Sequence, residues 1–301
     1  MSPSGSQHEI SHGGYAAVVT ESGAALRTLT FEGRDLVDGF GPDEMSAGCR
    51  GQLLVPWPNR IRDGRYTWDG IEQQLPLTEP SRSNASHGLV RWVAWTVASQ
   101  SRSTVTLAYR LMAQSGYPWT LDLSVTYALG DDGLHVTQGA DNRSASAAPY
   151  AQGAHPYLVV PGEVDTWELL LPAATRSLSD ERLLPVGAED VTGTDVDFRT
   201  ARPLGGVVLD HAFTDLVRDP AGLATTSLRD PVSGHGVEIW VDRAHPWLMV
   251  YTGDDRPAPF TRRSVAVEPM TAQADAFRSG EDVVRLEPGE SFQTTWGIRA
   301  T

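Results

Sequence analysis

Apolar residues in this chain recur at every second position, and no stretch of convincing length carries the helical period. Over 104–111, Val105, Leu107, Tyr109 and Leu111 alternate with polar or small residues. Over 121–129, Leu121, Leu123, Val125, Tyr127 and Leu129 do the same. A period of two puts successive side chains on opposite faces of an extended strand. The second run reaches Gly130-Asp131-Asp132-Gly133 and resumes at 134–137, which predicts a hairpin closed by an Asp/Gly turn. Further strands are expected at 89–97, 237–241, 248–252, 264–268 and 292–298. The 29 glycines and 20 prolines fall largely between such runs, as turn punctuation. Only 43–48 and 272–279 have the character of short helices. With no internal repeat or linker in 301 residues, the expected fold is all-β, one large antiparallel β-sandwich over 13–301 behind a flexible leader over 1–12.

Composition removes several function classes. The formal net charge is -14, whereas nucleic-acid binding needs clustered cations. All 24 basic residues are arginine. Without lysine there is no Schiff-base residue, no pyridoxal-phosphate anchor and no phosphate-loop lysine. No run of about 18 apolar residues predicts a membrane helix, and the start lacks the basic and apolar regions of a signal peptide. The single cysteine, Cys49, has no internal disulfide partner, which suits a reducing cytoplasm. It reads as a small residue in a tight segment rather than a nucleophile.

Several short motifs carry side chains suited to chemistry. His8-Glu9-Ile10-Ser11-His12 matches a zinc pattern that requires a helix, but it lies between a Ser/Gly leader and Gly13-Gly14, so no metal site is expected there. In Pro56-Trp57-Pro58-Asn59-Arg60, the prolines and Trp57 are suited to hold Asn59 and Arg60 outward, toward sugar hydroxyls; a structural corner with Arg60 in an ion pair is the alternative. His87 lies in a polar loop, Asn84-Ala85-Ser86-His87-Gly88, and gains interest only beside a second histidine. His155, in Gly153-Ala154-His155-Pro156-Tyr157, sits in an interrupted strand over 150–160 and exchanges protons near neutral pH unless it is a satisfied core residue. Asp210, before His211, is either a hydroxyl acceptor or a turn cap. In 264–268 the alternation puts Val265 and Val267 on one face and Glu268 on the other. A cleft on that second face would desolvate Glu268 and raise its pKa, suiting it to act as a base; bulk water would leave it an ordinary surface acid. His155 and Glu268 together would let one side chain donate a proton while the other accepts one, and nothing in the chain calls for a cofactor.

Taken in order, these segments resemble the aldose 1-epimerase family, the galactose mutarotase-like proteins. The matching pieces are Pro56 to Gly64, His87-Gly88 with Trp92 and Trp95, Tyr117-Pro118, His155-Pro156-Tyr157, Asp210 to Phe213, Tyr251-Thr252-Gly253 and Glu268-Pro269. The resemblance implies a large β-sandwich with a cleft on one sheet, acting on a small sugar without nucleic-acid or membrane partners, as a monomer or weak homodimer. It also implies roles: Glu268 as general base at the anomeric hydroxyl, His155 as general acid at the ring oxygen, and His87, Arg60, Asp210 and Asn59 as sugar-binding residues. The ring would open, the C1–C2 bond turn, and reclosure give the other anomer. The sequence departs from the family at Leu158, where an aromatic is common, and at Met270-Thr271-Ala272, where many members carry a glutamine. Three rivals are a hexose-6-phosphate epimerase using Arg60, Arg62, Arg262 and Arg263, a glycoside hydrolase pairing Glu268 with Asp210, and a sugar-binding protein without catalysis.

Overall fold

The structure is a computed structural model, and it describes residues 2–301. The expected hairpin is present as Leu121–Gly130 and Gly133–Asn142, paired from Leu121↔Asn142 to Gly130↔Gly133. Gly133 closes it at φ 110°, a backbone region that side chains resist. Along Leu121–Gly130 the apolar set faces inward and the intervening residues face out, as period two requires.

This hairpin belongs to a nine-stranded antiparallel sheet running in space from Thr96–Gln100 through Thr104–Leu111, the hairpin, Ser291–Ala300, Gly236–Val241 and Ala224–Arg229 to Glu168–Leu170 and Arg202–Pro203. An eight-stranded sheet covers it, ordered Pro185–Asp190, Ala173–Ser179, Asp210–Leu216, Trp247–Tyr251, Val265–Met270, Gly153–Ala154 and Leu53–Leu54, with Tyr157–Leu158 also paired to Val265–Met270. Val125, Tyr127 and Val136 of the first sheet share one core with Phe213, Val250, Val265 and Val267 of the second. The fold is therefore the expected β-sandwich. None of its described helices is long and apolar enough to cross a membrane.

Four expectations need correction. The leader over 1–12 is not free: Gln7–His12 is a strand paired with Tyr15–Thr20, in a separate four-stranded sheet with Leu26–Phe31 and Arg34–Asp35. Gly13-Gly14 supplies its turn, and Ile10 is its one fully buried side chain. Because the segment is extended, His8 and His12 lie four residues apart along a strand, about 13 Å, too far to share one ion. His12 instead meets Asp131 at 2.7 Å. The strand expected over 89–97 begins only at Thr96. The residues before it are tied to other segments: the amide of Leu89 donates to Val55, that of Trp95 to Glu21, and the Gln52 side chain to the Arg91 carbonyl. The helix over 272–279 shrinks to Ala276–Ser279, and that over 43–48 is replaced by a single 3-10 turn, Ala47–Cys49.

Candidate active site

Strand register brings His155 and Glu268 together. Gly153 pairs with Met270 and Tyr157 with Ala266, so the same antiparallel register sets His155 opposite Glu268. Cross-strand pairs on the next strands, Met249 with Glu268 and Ala212 with Met249, continue that row; Tyr251 with Ala266 and Asp210 with Tyr251 form the row beside it. Asp210, Tyr251, Met249 and Glu268 thus project from one face of the eight-stranded sheet. Val250, Val267 and Phe213 project from the other, into the core. The separation of Glu268 from the two valines expected from the sequence is what the strand does.

His155 Nε2 lies 3.2 Å from Glu268 Oε1, with side chains only 7% and 3% exposed. The other polar atoms of the pair, His155 Nδ1 and Glu268 Oε2, are buried and have no hydrogen-bond partner in the protein. The histidine ring is fixed by stacking on Tyr157, with centroids 4.8 Å apart, and Tyr157 donates its hydroxyl proton to the Gly48 carbonyl at 2.9 Å. Burial moves the two groups oppositely. It drives the Glu268 carboxyl well above its ordinary range, with Asp210 adding to the rise and Arg60 opposing it. It drives His155 down to about 3, helped by the cations Arg91 and Arg256. In both cases the cause is the cost of holding a charge away from water.

His87 stands edge-on to His155, ring centroids 5.6 Å apart. Its backbone and that of Asn59 both adopt left-handed conformations, φ 58° and 55°. The two residues grip each other: the Asn59 amide donates to His87 Nδ1 at 3.1 Å, and the His87 amide donates to the Asn59 carbonyl at 2.7 Å. An Nδ1 that accepts leaves the proton of the neutral ring on Nε2. Burial and the neighbouring His155 hold His87 well below its usual pKa, so it is a neutral hydrogen-bond donor. Gly88 next to it is irreplaceable: at φ 71° a Cβ would sit 2.0 Å from the Val55 carbonyl oxygen.

The remaining expected residues are placed differently from one another. A cleft lined by Asn59, Arg60, Asp210, His211, Met249 and Gln273 adjoins the pair, and Met249 is the strand neighbour of Glu268. Asp210 offers this cleft a carboxylate whose pKa burial raises and Arg60 lowers. Arg60 does not point freely outward: its guanidinium grips Glu79 through two hydrogen bonds, 2.8 and 3.0 Å, and donates to Asn59 Oδ1 at 3.2 Å. Asn59 is itself buried. Arg60 therefore forms an ion-paired corner and also borders the cleft.

Cys49 is the site neighbour that sequence reasoning did not place there. Its sulfur and one nitrogen each of His87 and His155 lie within 4.8 Å of one another. Arg91 donates to Sγ at 3.1 Å, while burial raises the thiol pKa. A lone cysteine among small residues carries no signal that would place it there. The trio has the elements of a metal site, yet its hydrogen bonding does not suit one. A ligating histidine normally donates its second N–H to an acceptor, whereas His87 Nδ1 already accepts from an amide.

Comparison with known proteins identifies the family. The aldose 1-epimerase family model matches residues 6–299. The uncharacterized protein YihR of Escherichia coli K12 is 34% identical over 300 residues, covering 99% of this chain and 94% of that protein. The galactose mutarotase of Rattus norvegicus is 28% identical over 264 residues, covering 79% and 75% respectively. The crystal structure of the GalM/aldose epimerase homologue from C. elegans superposes with a TM-score of 0.86 at 20% identity, with 98% of each chain covered, a likeness of fold.

Proposed function

For a chain that belongs to the aldose 1-epimerase family, we propose that it interconverts the α and β anomers of a free aldose by ring opening and reclosure. The observation that carries the proposal is the buried His155–Glu268 contact with opposite pKa shifts. With one proton between them, the pair is least costly to bury as neutral imidazole and carboxylic acid. The reactive form is the same pair with that proton moved across 3.2 Å to the ring. It sets a carboxylate of raised basicity beside an imidazolium of raised acidity.

In the reactive form Glu268 removes the proton from the anomeric hydroxyl, and His155 delivers its proton to the ring oxygen. The C1–O5 bond breaks to give the open-chain aldehyde. Rotation about C1–C2 presents the other carbonyl face, and return of the two protons closes the ring. The reaction is redox-neutral and isomerises one molecule, so it consumes no co-reactant. His87 Nε2–H donates to a sugar oxygen, and the Asp210 carboxylate accepts from sugar hydroxyls across the cleft. Each acid or base contributes ~10²–10⁴-fold to such a reaction.

Polarimetry of freshly dissolved α-D-glucose and α-D-galactose tests the proposal. Wild type is expected to speed the approach to an unchanged final rotation, and His155→Ala and Glu268→Gln to abolish most of the effect. Tight sugar binding without acceleration would favour a binding protein instead.

A further inference from the structure

Most arginines near the site are already neutralised. Arg60 pairs with Glu79, Arg62 with Asp180 and Asp275, Arg262 with Asp165 and Asp254, and Arg263 with Asp38. These are the four that a phosphate-binding cluster was expected to use, and none is free. Two other guanidinium groups are. Among the described residues, Arg91 and Arg256 have no carboxylate within ion-pair distance. The Arg256 side chain makes no hydrogen bond; it lies over the Tyr157 ring, 4.8 Å from its centroid. Arg91 donates to Cys49 Sγ at 3.1 Å and keeps a buried Nε without a partner.

Both cations border the turn at Gly48 and Cys49. A Cβ added to Gly48 would lie 3.3 Å from Arg256 Nη2, and Arg91 touches Cys49, the next residue. Consecutive α-carbons are about 3.8 Å apart. That turn adjoins His155 rather than the outer cleft: Tyr157 stacks on the histidine, and the Cys49 sulfur is within 4.8 Å of its ring nitrogen. Glu268, by contrast, has Asp210 and Arg60 as its charged neighbours. A chain of formal net charge -14 repels anions at long range, so an anion beside His155 would have to be held by local cations, and these are the two without a carboxylate partner.

We propose that Arg256 and Arg91 receive an anionic group carried by the sugar itself, on the exocyclic carbon next to the ring oxygen. This rests on the assignment of His155 as the acid at that oxygen. A ring oxygen held at His155 brings the adjoining ring carbon and its exocyclic substituent to the Arg256–Arg91 side. A carboxylate, phosphate or sulfonate there would accept charge-assisted hydrogen bonds from two guanidinium forks. A neutral hydroxymethyl group would leave both cations uncompensated.

Anomer exchange, followed by NMR on the full-length protein, separates these cases. The substrates are D-glucose, D-glucuronate, D-glucose 6-phosphate and 6-deoxy-6-sulfo-D-glucose. At least one anionic sugar is expected to exceed glucose in kcat/KM by ~10-fold or more, because a charged hydrogen bond discriminates by roughly that factor. Whichever anion leads identifies the group. Arg256→Gln is expected to lower the anionic-to-neutral ratio by roughly 10- to 100-fold. Glucose turned over as well as all three anionic sugars, or a ratio unmoved in Arg256→Gln, overturns the inference and leaves the mutarotase reading intact. If no sugar is turned over, calorimetric titration of wild type with the same four sugars decides. Tighter binding of an anionic sugar upholds the anion site while removing the mutarotase reading; equal or absent binding overturns the site as well. The wild-type ranking needs no variant, so a poorly folded Arg256→Gln does not blunt the test.

Discussion

Replacing Glu268 by glutamine should inactivate the protein and stabilise it at the same time. The side chain is 3% exposed, and Oε2 has no partner. Its folded-state pKa is well above its ordinary value of 4.5, chiefly through burial. A carboxyl whose pKa is raised on folding favours the folded state fully below its unfolded pKa. That advantage is lost as pH rises through the folded value, because a charge must then be held in an apolar site. Each unit of elevation is worth about 1.4 kcal/mol, and in a domain of this size about 1 kcal/mol corresponds to ~2 °C in Tm. Glutamine has the same shape and never ionises. Thermal unfolding of wild type and Glu268→Gln, followed from pH 4 to pH 9, should show a variant that is more stable at high pH by several degrees, with the gap closing below pH ~4.5. Mutarotation by the same samples should fall ~10²–10⁴-fold. A gap independent of pH, or a variant less stable than wild type at pH 8, would refute the claim that burial destabilises the carboxylate. Full activity in the variant would remove Glu268 from the chemistry.

Three further outcomes follow from the same geometry. The pair needs one proton, so kcat/KM should stay level far into acid, falling only toward pH about 3 as His155 becomes protonated alongside the acid form of Glu268. It should fall on the alkaline side as the raised Glu268 carboxyl gives up the shared proton; a pH–rate profile with an ordinary histidine limb near pH ~6.5 would contradict this. Gly88→Ala puts a Cβ 2.0 Å from the Val55 carbonyl oxygen at φ 71° and should cost upward of ~3 kcal/mol, read as a large drop in Tm or loss of soluble protein. Arg60→Lys keeps the charge but breaks the two-pronged grip on Glu79; a stability loss of about 1–3 kcal/mol and a raised KM are expected, checked by chemical unfolding and steady-state kinetics.

The sandwich was legible because one face of each long strand meets the core, which writes period two directly into the sequence. Segments whose backbones are satisfied one contact at a time write no period. The stretch before Thr96 is apolar enough to suggest a strand, but its partners are scattered among Val55, Glu21 and Gln52. The N-terminal strand hid for the opposite reason, since it buries only Ile10 and reads as polar. Among the site residues, the separation of Glu268 from Val265 and Val267 could be read from the alternation in its own strand, but not whether its face met a cleft or bulk water. Its meeting with His155 could not, because that depends on the register between segments more than a hundred residues apart. The commitment of Arg60 to Glu79 and the freedom of Arg256 were equally hidden, since charge pairing depends on which loops the fold brings together.

The site's chemistry follows from where the sandwich places two ordinary side chains. Neither His155 nor Glu268 is unusual in its motif; each is perturbed because strand pairing sets them opposite one another where water is scarce. Desolvation alone would leave the pair locked as neutral imidazole and carboxylic acid, a poor acid beside a poor base. The groups that favour its charged form are therefore as important as the pair. Arg60 lies close enough to Glu268 to oppose the rise in its pKa, and Asp210 works against it. Arg91 and Arg256 resist protonation of His155 for as long as they stay uncompensated. An anionic substituent bound between those two arginines would cancel that resistance and ease proton transfer to the ring. On this view the anion holds the sugar and also favours the protonated form of the acid, so part of its benefit should appear in kcat as well as in KM.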